Sequence, residues 1–415
     1  MIMRLLLISY YFPPDRSAGG FRASSFCKYF HDKGIKVDLL TSNRASLSKG
    51  IKEAYNIREA FVAPRPKLRD WGYKTKILAI LELLKLDTLL FFPDIFFPWI
   101  KKAVKAGIRA LKLNKYDAIL ATAPPFSVFF VGYDLSKRFN IPLILDYRDP
   151  WNDQPFKKIP WPVIKHKHKK WENKIASSAT MIFTVGGECA KMISASANVS
   201  LEKINVIHNG FFAEDLPDTR AEKDNNIFTI GYFGNIYLLR KRCFETFMRG
   251  FAKFISQEQL SSKEVRIVYA GGTSRKSINK IVSKNKMKQF FKDLGLLNRE
   301  QAYLEIQKCD LTLLFIPREI HYVLPTKIFD YLSNHTHVLI IGSNGEASNL
   351  CEKVDQQYSI AKCDENDVAE KLKGLYSHWK NGTLRYGCDS ALLKNYDRKV
   401  LAYKYAEKII QELSV

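Results

Sequence analysis

Residues 5–22, LLLISYYFPPDRSAGGFR, combine a short apolar run, a loop that ends in Gly19 and Gly20, and the beginning of a helix. This order predicts the first unit of a parallel sheet, because parallel strands need a crossover connection, which is usually a helix. Glycine lets a backbone approach a ligand closely, and a helix N-terminus favours an anion. An ordinary strand-to-helix turn explains the same residues, since neither the dinucleotide-binding glycine pattern nor a P-loop is present.

The same alternation of strands and helices continues in two series. Further strands are predicted at residues 37–40, 118–121, 143–146, 181–184 and 205–207, and then at 228–233, 265–270, 311–315, 338–341 and 358–360. The polar stretch at residues 211–226 predicts a linker between the series. We therefore predict an α/β protein with two Rossmann-like domains built on parallel sheets, residues 1–210 and 227–395, followed by a terminal helix within 396–415. Ligands of such sheets bind beyond the carboxyl ends of the strands, so the expected site is the cleft between the domains.

The composition limits the class of protein. The chain has 415 residues and a formal net charge of +23, which predicts a polyanionic partner. Its 7 cysteines show no Cys-x-x-Cys spacing, so we expect a reducing compartment and no disulfide framework. The apolar N-terminal run is too short for a secretory signal, and the apolar stretch 77–100 is interrupted by charges and prolines. A soluble or peripheral protein is therefore expected.

Polar side chains follow two neighbouring strands of the first series. Pro124 and Ser127 come after one strand, and Asp146, Arg148 and Asp149 come at the end of the next. Because these strand ends meet at one edge of a sheet, the side chains are predicted to share a rim. A carboxylate there can act as a base toward an acceptor hydroxyl or orient sugar hydroxyls. The alternative is an Arg–Asp ion pair that fixes the loop. This alternative explains Asp146 better than it explains Asp149.

The second series begins with a strand, a glycine loop and a basic helix start in GYFGNIYLLRKR, residues 231–242. Gly234 and Asn235 are the candidate ligand-binding residues of the loop. Arg240 could bind a diphosphate with two parallel hydrogen bonds. A solvated basic helix end is the alternative interpretation.

The stretch LPTKIFDYL, residues 324–332, predicts a helix whose first turn contains Lys327. A cation at that position opposes the helix dipole, which indicates an anion nearby. Asp330 lies three residues further on, where it could accept hydrogen bonds from ribose hydroxyls. The sequence contains no Asp-x-Asp motif, so we expect Arg240 and Lys327, rather than a metal ion, to neutralise a diphosphate. Neither a metal nor a cofactor is predicted.

Two segments of the first series place lysines and arginines beside large aromatic residues. They are Phe96, Phe97, Trp99, Lys101, Lys102, Lys105, Arg109 and Lys112, and Lys157, Lys158, Trp161, Lys165, Lys167, Lys169, Lys170, Trp171 and Lys174. Such a combination is typical of an anionic membrane surface. A merely solvated charged face is the alternative. Nucleic acid is not an expected partner, because none of the usual binding motifs occurs.

Six motifs taken in order resemble the family 4 glycosyltransferases of bacterial surface polysaccharide synthesis. They are LLLISYYFPPDRSAGGFR, YDAILATAPPFSV, PLILDYRDPW, VIHNGF, IGYFGNIY and LPTKIFDYL. The resemblance implies a GT-B fold in which the first domain binds the acceptor and the second binds a nucleotide-sugar donor. It also implies that the terminal helix packs back on the first domain.

The resemblance assigns roles to several of these residues. Gly19 and Gly20 would line the cleft near the donor phosphate and the acceptor. Arg240 and Lys327 match the diphosphate-binding cations of the family, and Asp330 matches the second acidic residue of its Glu-x7-Glu motif, which contacts ribose.

Two positions depart from the family pattern. Tyr322 stands eight residues before Asp330, where the first glutamate of the motif would contact the transferred sugar, and it is predicted as a donor-binding residue at that position. The family's histidine near the fourth strand is replaced by the residues at 121–125. These departures leave retention or inversion open, and they make Asp149 a candidate acceptor-side residue.

Together these features predict a metal-independent hexosyltransferase with Asp149, Arg240 and Lys327 as catalytic residues. Its partners would be a nucleotide-sugar donor, a lipid-linked or growing glycan acceptor, and the cytoplasmic face of the plasma membrane. A nucleotide-sugar epimerase with the same fold and a non-catalytic polyanion- or membrane-binding protein are the alternatives.

Overall fold

The computed structural model describes residues 2–15, 18–65, 90–152, 159–236 and 239–414. The described chain divides into two compact units. The first domain runs to His208 and includes the residues from Arg398 onwards, and the second domain is Asn209–Asp397.

The first domain is built on a sheet of seven parallel strands in the order β3-β2-β1-β4-β5-β6-β7. The strands are β1 (Met3–Ser9), β2 (Ile35–Thr41), β3 (Ala60–Val62), β4 (Ala118–Ala123), β5 (Leu143–Tyr147), β6 (Met181–Thr184) and β7 (Ile204–Val206). Its helices are α1 (Ala18–Tyr29), α2 (Lys49–Ala54), α3 (Phe97–Leu113), α4 (Ser127–Phe139), α5 (Pro162–Ser178) and α6 (Gly187–Ala197). Strands β1, β4 and β5 are apolar along most of their length because both faces of the sheet are covered.

The second domain repeats this design with six parallel strands in the order β10-β9-β8-β11-β12-β13. The strands are β8 (Phe228–Phe233), β9 (Val265–Ala270), β10 (Phe291–Gly295), β11 (Leu311–Ile316), β12 (His337–Gly342) and β13 (Tyr358–Ala361). The helices are α7 (Leu239–Gln257), α8 (Arg275–Lys284), α9 (Arg299–Gln307), α10 (Thr326–Ser333), α11 (Glu346–Lys353), α12 (Glu365–Lys380) and α13 (Ser390–Leu393). The predicted fold class, two Rossmann-like domains with parallel sheets, is confirmed.

In both sheets the strand order reverses beside the first strand of the domain. That point lies between β1 and β4 in the first sheet and between β8 and β11 in the second. Loops that leave the strands there are separated from their neighbours and form a crevice for ligands. The candidate site residues of each domain are therefore expected in the loops at this point of its sheet.

The terminal helix α14 (Arg398–Leu413) packs against α1 of the first domain. Its Tyr405 ring lies 4.8 Å from the ring of Phe26 and 4.3 Å from that of Phe183. Part of the predicted linker, by contrast, is attached to the second domain. Asp215 accepts a hydrogen bond from Arg299 at 2.6 Å, and the backbone amide of Ala221 donates to Gln307 at 2.8 Å.

No helix in the described ranges is both long and apolar enough to cross a membrane. Residues 77–89 of the apolar stretch discussed above, together with Lys157 and Lys158 of the basic segment, lie outside the described residues.

Candidate functional site

The loop after β8 brings a glycine against a lysine of α10. Gly234 has a φ of +131°, and a Cβ built on it would lie 2.8 Å from Nζ of Lys327. Its amide donates to the carbonyl of Ala270 at 2.7 Å, which ties the loop to β9. Asn235 continues this connection, because its Oδ1 accepts the amide hydrogen of Gly272 at 2.7 Å. The glycine is required here by both its backbone conformation and the space that the lysine occupies.

Lys327 is the second residue of α10, and its ammonium group is buried. Nζ lies 3.7 Å from the centroid of the Tyr232 ring, and it has no hydrogen-bond partner among the described residues. Burial lowers the pKa of Lys327 well below its ordinary value, the nearby Arg240 lowers it further, and Asp330 opposes the shift. A buried cation without a hydrogen-bonded partner is costly, and an anion would remove that cost.

Lys327, in the first turn of α10, lies close enough to Arg240 for the two side chains to interact electrostatically. A helix N-terminus offers free backbone amides and a partial positive charge. The arrangement suits a diphosphate, whose two phosphate groups can be bound by both side chains at once.

Asp330 is positioned by its neighbours on the same side of the domain. The hydroxyl of Tyr303 donates to Oδ1 of Asp330 at 3.0 Å. Burial and the charge of Asp330 raise the pKa of Tyr303, so the phenol stays protonated and remains a donor. Asp330 is half-buried, and its carboxylate is the kind of group that accepts a hydrogen bond from a ligand hydroxyl.

The side chain of Tyr322 is only 3% exposed. Its ring lies edge-on to that of His321, at a centroid distance of 6.2 Å. The structure therefore places this predicted donor-binding residue inside the second domain, in the loop that leads to α10.

Asp146, predicted for the acceptor side, lies inside the first domain. It is completely buried, and it accepts hydrogen bonds from Arg22 at 3.0 Å, Thr122 at 2.7 Å and Tyr405 at 3.0 Å. Arg22 also donates to the carbonyl of Ile207 at 3.1 Å. Asp146 thus holds β4, β5, α1 and α14 together and is not available to a substrate.

Ser127, also predicted for the acceptor side, is buried as well. Its side chain is 0% exposed, and its hydroxyl donates to Asp94 at 2.6 Å while its amide donates to the same carboxylate at 2.9 Å. Asp94 therefore fixes the beginning of α4.

Three other residues predicted for the site in the first domain, Arg148, Pro124 and Gly19, lie close to one another. Nε of Arg148 donates to the carbonyl of Ala123 at 3.1 Å, and its guanidinium also bonds to the carbonyl of Pro124. A Cβ on Gly19 would overlap this guanidinium, so a side chain there would force the guanidinium to move. Burial lowers the pKa of Arg148, whereas Asp149 raises it.

A Cβ on Gly20, by contrast, would lie 3.5 Å from Cα of Phe12, an ordinary contact. The structure thus gives a steric reason for the first glycine of the pair and none for the second.

Sequence reasoning assigned no role to Arg22, Tyr232 or Tyr303. Arg22 and Tyr232 occur within the quoted motifs, but their roles depend on partners far along the chain. Within the described residues, no group of three or more His, Cys, Asp or Glu side chains could hold a metal ion.

Comparisons with known proteins show which family and which folds the chain resembles. Residues 21–214 match the family model for Glycosyltransferase Family 4. The fold of the chain is similar to that of HepE from Anabaena, solved with UDP-glucose, at 14% identity and a TM-score of 0.66 over 99% of this chain and 100% of that one. Sucrose-phosphate synthase from Thermosynechococcus elongatus gives 13% identity and a TM-score of 0.70 over 99% of each chain. Residues 21–214 thus resemble Glycosyltransferase Family 4, and the chain as a whole has the GT-B fold.

The GT-B fold is also shared by a UDP-N-acetylglucosamine 2-epimerase, at 10% identity and a lower TM-score of 0.58 over 100% of this chain and 97% of that one. No curated protein matches the chain in sequence. The match of residues 21–214 to Glycosyltransferase Family 4 favours transfer over epimerisation.

Replacing Gly234 with alanine should damage the loop after β8. We expect Gly234→Ala to destabilise the second domain by about 1–3 kcal/mol, because alanine disfavours the positive φ. It should also weaken nucleoside diphosphate binding, because the new Cβ displaces Nζ of Lys327. Thermal unfolding with and without UDP measures both effects.

Gly374→Ala is the matched control, because a Cβ at that α12 position meets nothing within 4 Å. It should leave binding unchanged and stabilise the helix by up to about 1 kcal/mol. Equal effects of the two substitutions would contradict the assigned role of Gly234.

Proposed function

We propose that this protein is a glycosyltransferase that moves a hexose-type sugar from a nucleotide-diphosphate sugar to a lipid-linked or growing glycan acceptor, in the synthesis of a cell-surface polysaccharide. The observation that carries the proposal is the buried ammonium group of Lys327, which has no hydrogen-bond partner among the described residues and lies beside Arg240. In the proposed reaction these two cations neutralise the departing diphosphate without a metal ion. Asp330 binds the ribose.

The proposed donor carries uridine diphosphate. HepE has been solved with UDP and with UDP-glucose, and its fold is similar to that of this chain. The base is expected to be recognised at the carboxyl end of the second sheet, where a pocket of about 620 Å³ is lined by Arg318, His321, Ser343 and Lys362.

Asp149 is the proposed acceptor-side residue of the first domain. It is half-buried and lies beside Arg148, whose guanidinium contacts Gly19. A carboxylate at this strand exit can orient the acceptor hydroxyl or remove its proton as the sugar is transferred.

A panel of nucleoside diphosphates tests the donor assignment. A ligand that binds only the folded state raises the melting temperature by mass action. We expect UDP to raise it more than ADP or GDP at equal concentration. If no nucleoside diphosphate raises it, the chain does not use such a donor, and a non-catalytic polyanion-binding role replaces this proposal.

We also propose that α3 and α5 bind an anionic membrane at the cytoplasmic face. Both helices pack against α4. Helix α3 contains no acidic residue, and the one acidic residue of α5, Glu172, is buried and bonded to Asn152 and Ser196. Their exposed charges are therefore all positive. Trp161 is 39% exposed and Val163 is 79% exposed beside these charges, which provides apolar groups for the interface.

Charge reversal tests the membrane surface. Lys167→Glu, Lys170→Glu and Lys174→Glu together should weaken binding to phosphatidylserine vesicles roughly 100-fold, because each basic residue near an anionic surface contributes about 1 kcal/mol. Vesicle co-sedimentation at low and high salt measures the change.

The matched control is Lys276→Glu, Lys280→Glu and Lys284→Glu on the exposed face of α8 in the second domain. It changes the net charge equally and should leave vesicle binding within a few-fold of the wild type. A loss of the same size in both triple variants would mean that net charge, and not this surface, determines binding.

A further inference from the structure

Two cysteines that are distant in the sequence meet in the second domain. Sγ of Cys243 and Sγ of Cys363 lie 3.1 Å apart, and both thiols are free. Cys243 is in the first turns of α7, and Cys363 lies two residues before the first residue of α12. Helices α7 and α12 pack against each other along their length, so the two sulfurs are held as neighbours by the core of the domain.

The pair is accessible from one side. Cys243 is 1% exposed, but Cys363 is exposed and lines a pocket of about 760 Å³ together with Leu239, Arg242 and Arg249. A pocket of this size admits a molecule as large as a tripeptide. Cys243 also lines this pocket, but the exposed Cys363 is the thiol that a small reagent reaches more easily.

The surroundings of Cys363 favour the thiolate. The hydrogen bond with Cys243, then that with Thr246 and the charges of Arg242 and Arg249, lower the pKa of Cys363 to about 6. The same thiol–thiol hydrogen bond and burial raise the pKa of Cys243. A thiolate that is exposed and next to a second thiol has the features of a redox-active cysteine.

We propose that Cys243 and Cys363 form a redox-active dithiol that low-molecular-weight disulfides oxidise to an intramolecular disulfide. The thiolate of Cys363 attacks one sulfur of the reagent RS–SR, which forms a Cys363–SR mixed disulfide and releases RS⁻. Cys243 then gives up its proton to RS⁻, and its sulfur attacks Sγ of Cys363 and releases the second RS⁻, which takes a proton from water. The protein loses two hydrogens in total, and the reagent is reduced to two thiols.

The disulfide would act on the proposed donor site through α7. Arg240 lies three residues before Cys243, so it stands one turn away on the same helix. Closing the bond draws the sulfurs from 3.1 Å to about 2.0 Å and shifts this turn. This consequence rests on the proposed function: oxidised protein should show a smaller UDP-induced rise in melting temperature than reduced protein.

The test is incubation of the full-length protein with glutathione disulfide, followed by proteolysis without reduction and mass spectrometry. In the wild type we expect a cross-linked peptide pair that contains Cys243 and Cys363. Cys243→Ser should stop at a glutathione adduct on Cys363, and Cys363→Ser should give neither product. Cys388→Ser, at a half-buried thiol elsewhere in the domain, should behave as the wild type.

Two results would overturn the proposal: a stable glutathione adduct on Cys363 in the wild type without the cross-link, or no reaction of Cys363 while Cys388 is oxidised. A different result is expected if the proposed function is wrong. In that case the cross-link still forms, but UDP has no effect on the melting temperature of the reduced protein.

Discussion

Lys327→Ala should abolish the UDP-induced rise in melting temperature and lower kcat/KM for sugar transfer by roughly 100- to 1000-fold, the usual loss for a group that stabilises developing negative charge. The physical reason is that Nζ of Lys327 is already buried beside Tyr232 and Gly234, so it is in place before the diphosphate arrives. The effect should be larger in kcat/KM than in donor KM, because the leaving diphosphate carries more charge in the transition state than in the bound donor.

The pH dependence of binding should identify the same residue. Burial lowers the pKa of Lys327 in the free protein, and a bound diphosphate would raise it again. Binding therefore takes up a proton where Lys327 is neutral in the free protein, and the affinity for UDP falls as pH rises through the lowered pKa. Calorimetry in buffers of different ionisation enthalpy measures the proton uptake, which should vanish in Lys327→Ala.

Lys241→Ala is the matched control for both measurements. Lys241 is 48% exposed, belongs to the same basic helix start as Arg240, and pairs with Glu245 on the helix surface. It should bind UDP like the wild type. If Lys327→Ala also keeps wild-type binding and proton uptake, Lys327 is a structural lysine and the donor-site assignment fails.

Asp146→Ala should destabilise the first domain by about 3–5 kcal/mol, the usual cost of leaving a buried charge without its partner. Arg22 is 3% exposed, and burial lowers its pKa while Asp146 opposes that shift. The substitution also removes the acceptor for the hydroxyls of Thr122 and Tyr405. Chemical denaturation followed by a signal from the first domain measures the loss.

The control substitution is Asp134→Ala, which breaks an exposed pair with Arg138 one turn away on α4. That pair should contribute only about 0.3–0.5 kcal/mol. A double variant, Arg22→Met with Asp146→Leu, should be more stable than Asp146→Ala because no buried charge remains. If Asp146→Ala costs no more than Asp134→Ala, the buried network does not hold the domain together.

The sheets were predictable because buried parallel strands are nearly continuous apolar runs. LLLIS in β1 and LTLLFI in β11 are examples. The strands that sequence reasoning missed are β3 and β10, which lie at the edges of their sheets. They are short or partly polar, as in FKDLG of β10, because one side of an edge strand has no neighbour to bury it.

Some residues of the candidate site could be predicted because their charge is unfavourable in its local structural context. Lys327 was found because a cation in the first turn of a helix opposes the helix dipole. Its burial over Tyr232 depends on the packing of α10 against β8, which no local pattern contains. Asp146 was misplaced for the same reason, since its partners Arg22 and Tyr405 lie in the first and last helices of the chain. The Cys243–Cys363 pair is likewise a product of helix packing.

The most direct test of the donor site is a crystal structure of the protein with bound UDP. We expect phosphate oxygens within hydrogen-bonding distance of both Nζ of Lys327 and the guanidinium of Arg240, with a ribose hydroxyl on Asp330. A diphosphate bound elsewhere, for example at the lysines of α8, with Nζ of Lys327 still unbonded, would contradict this expectation.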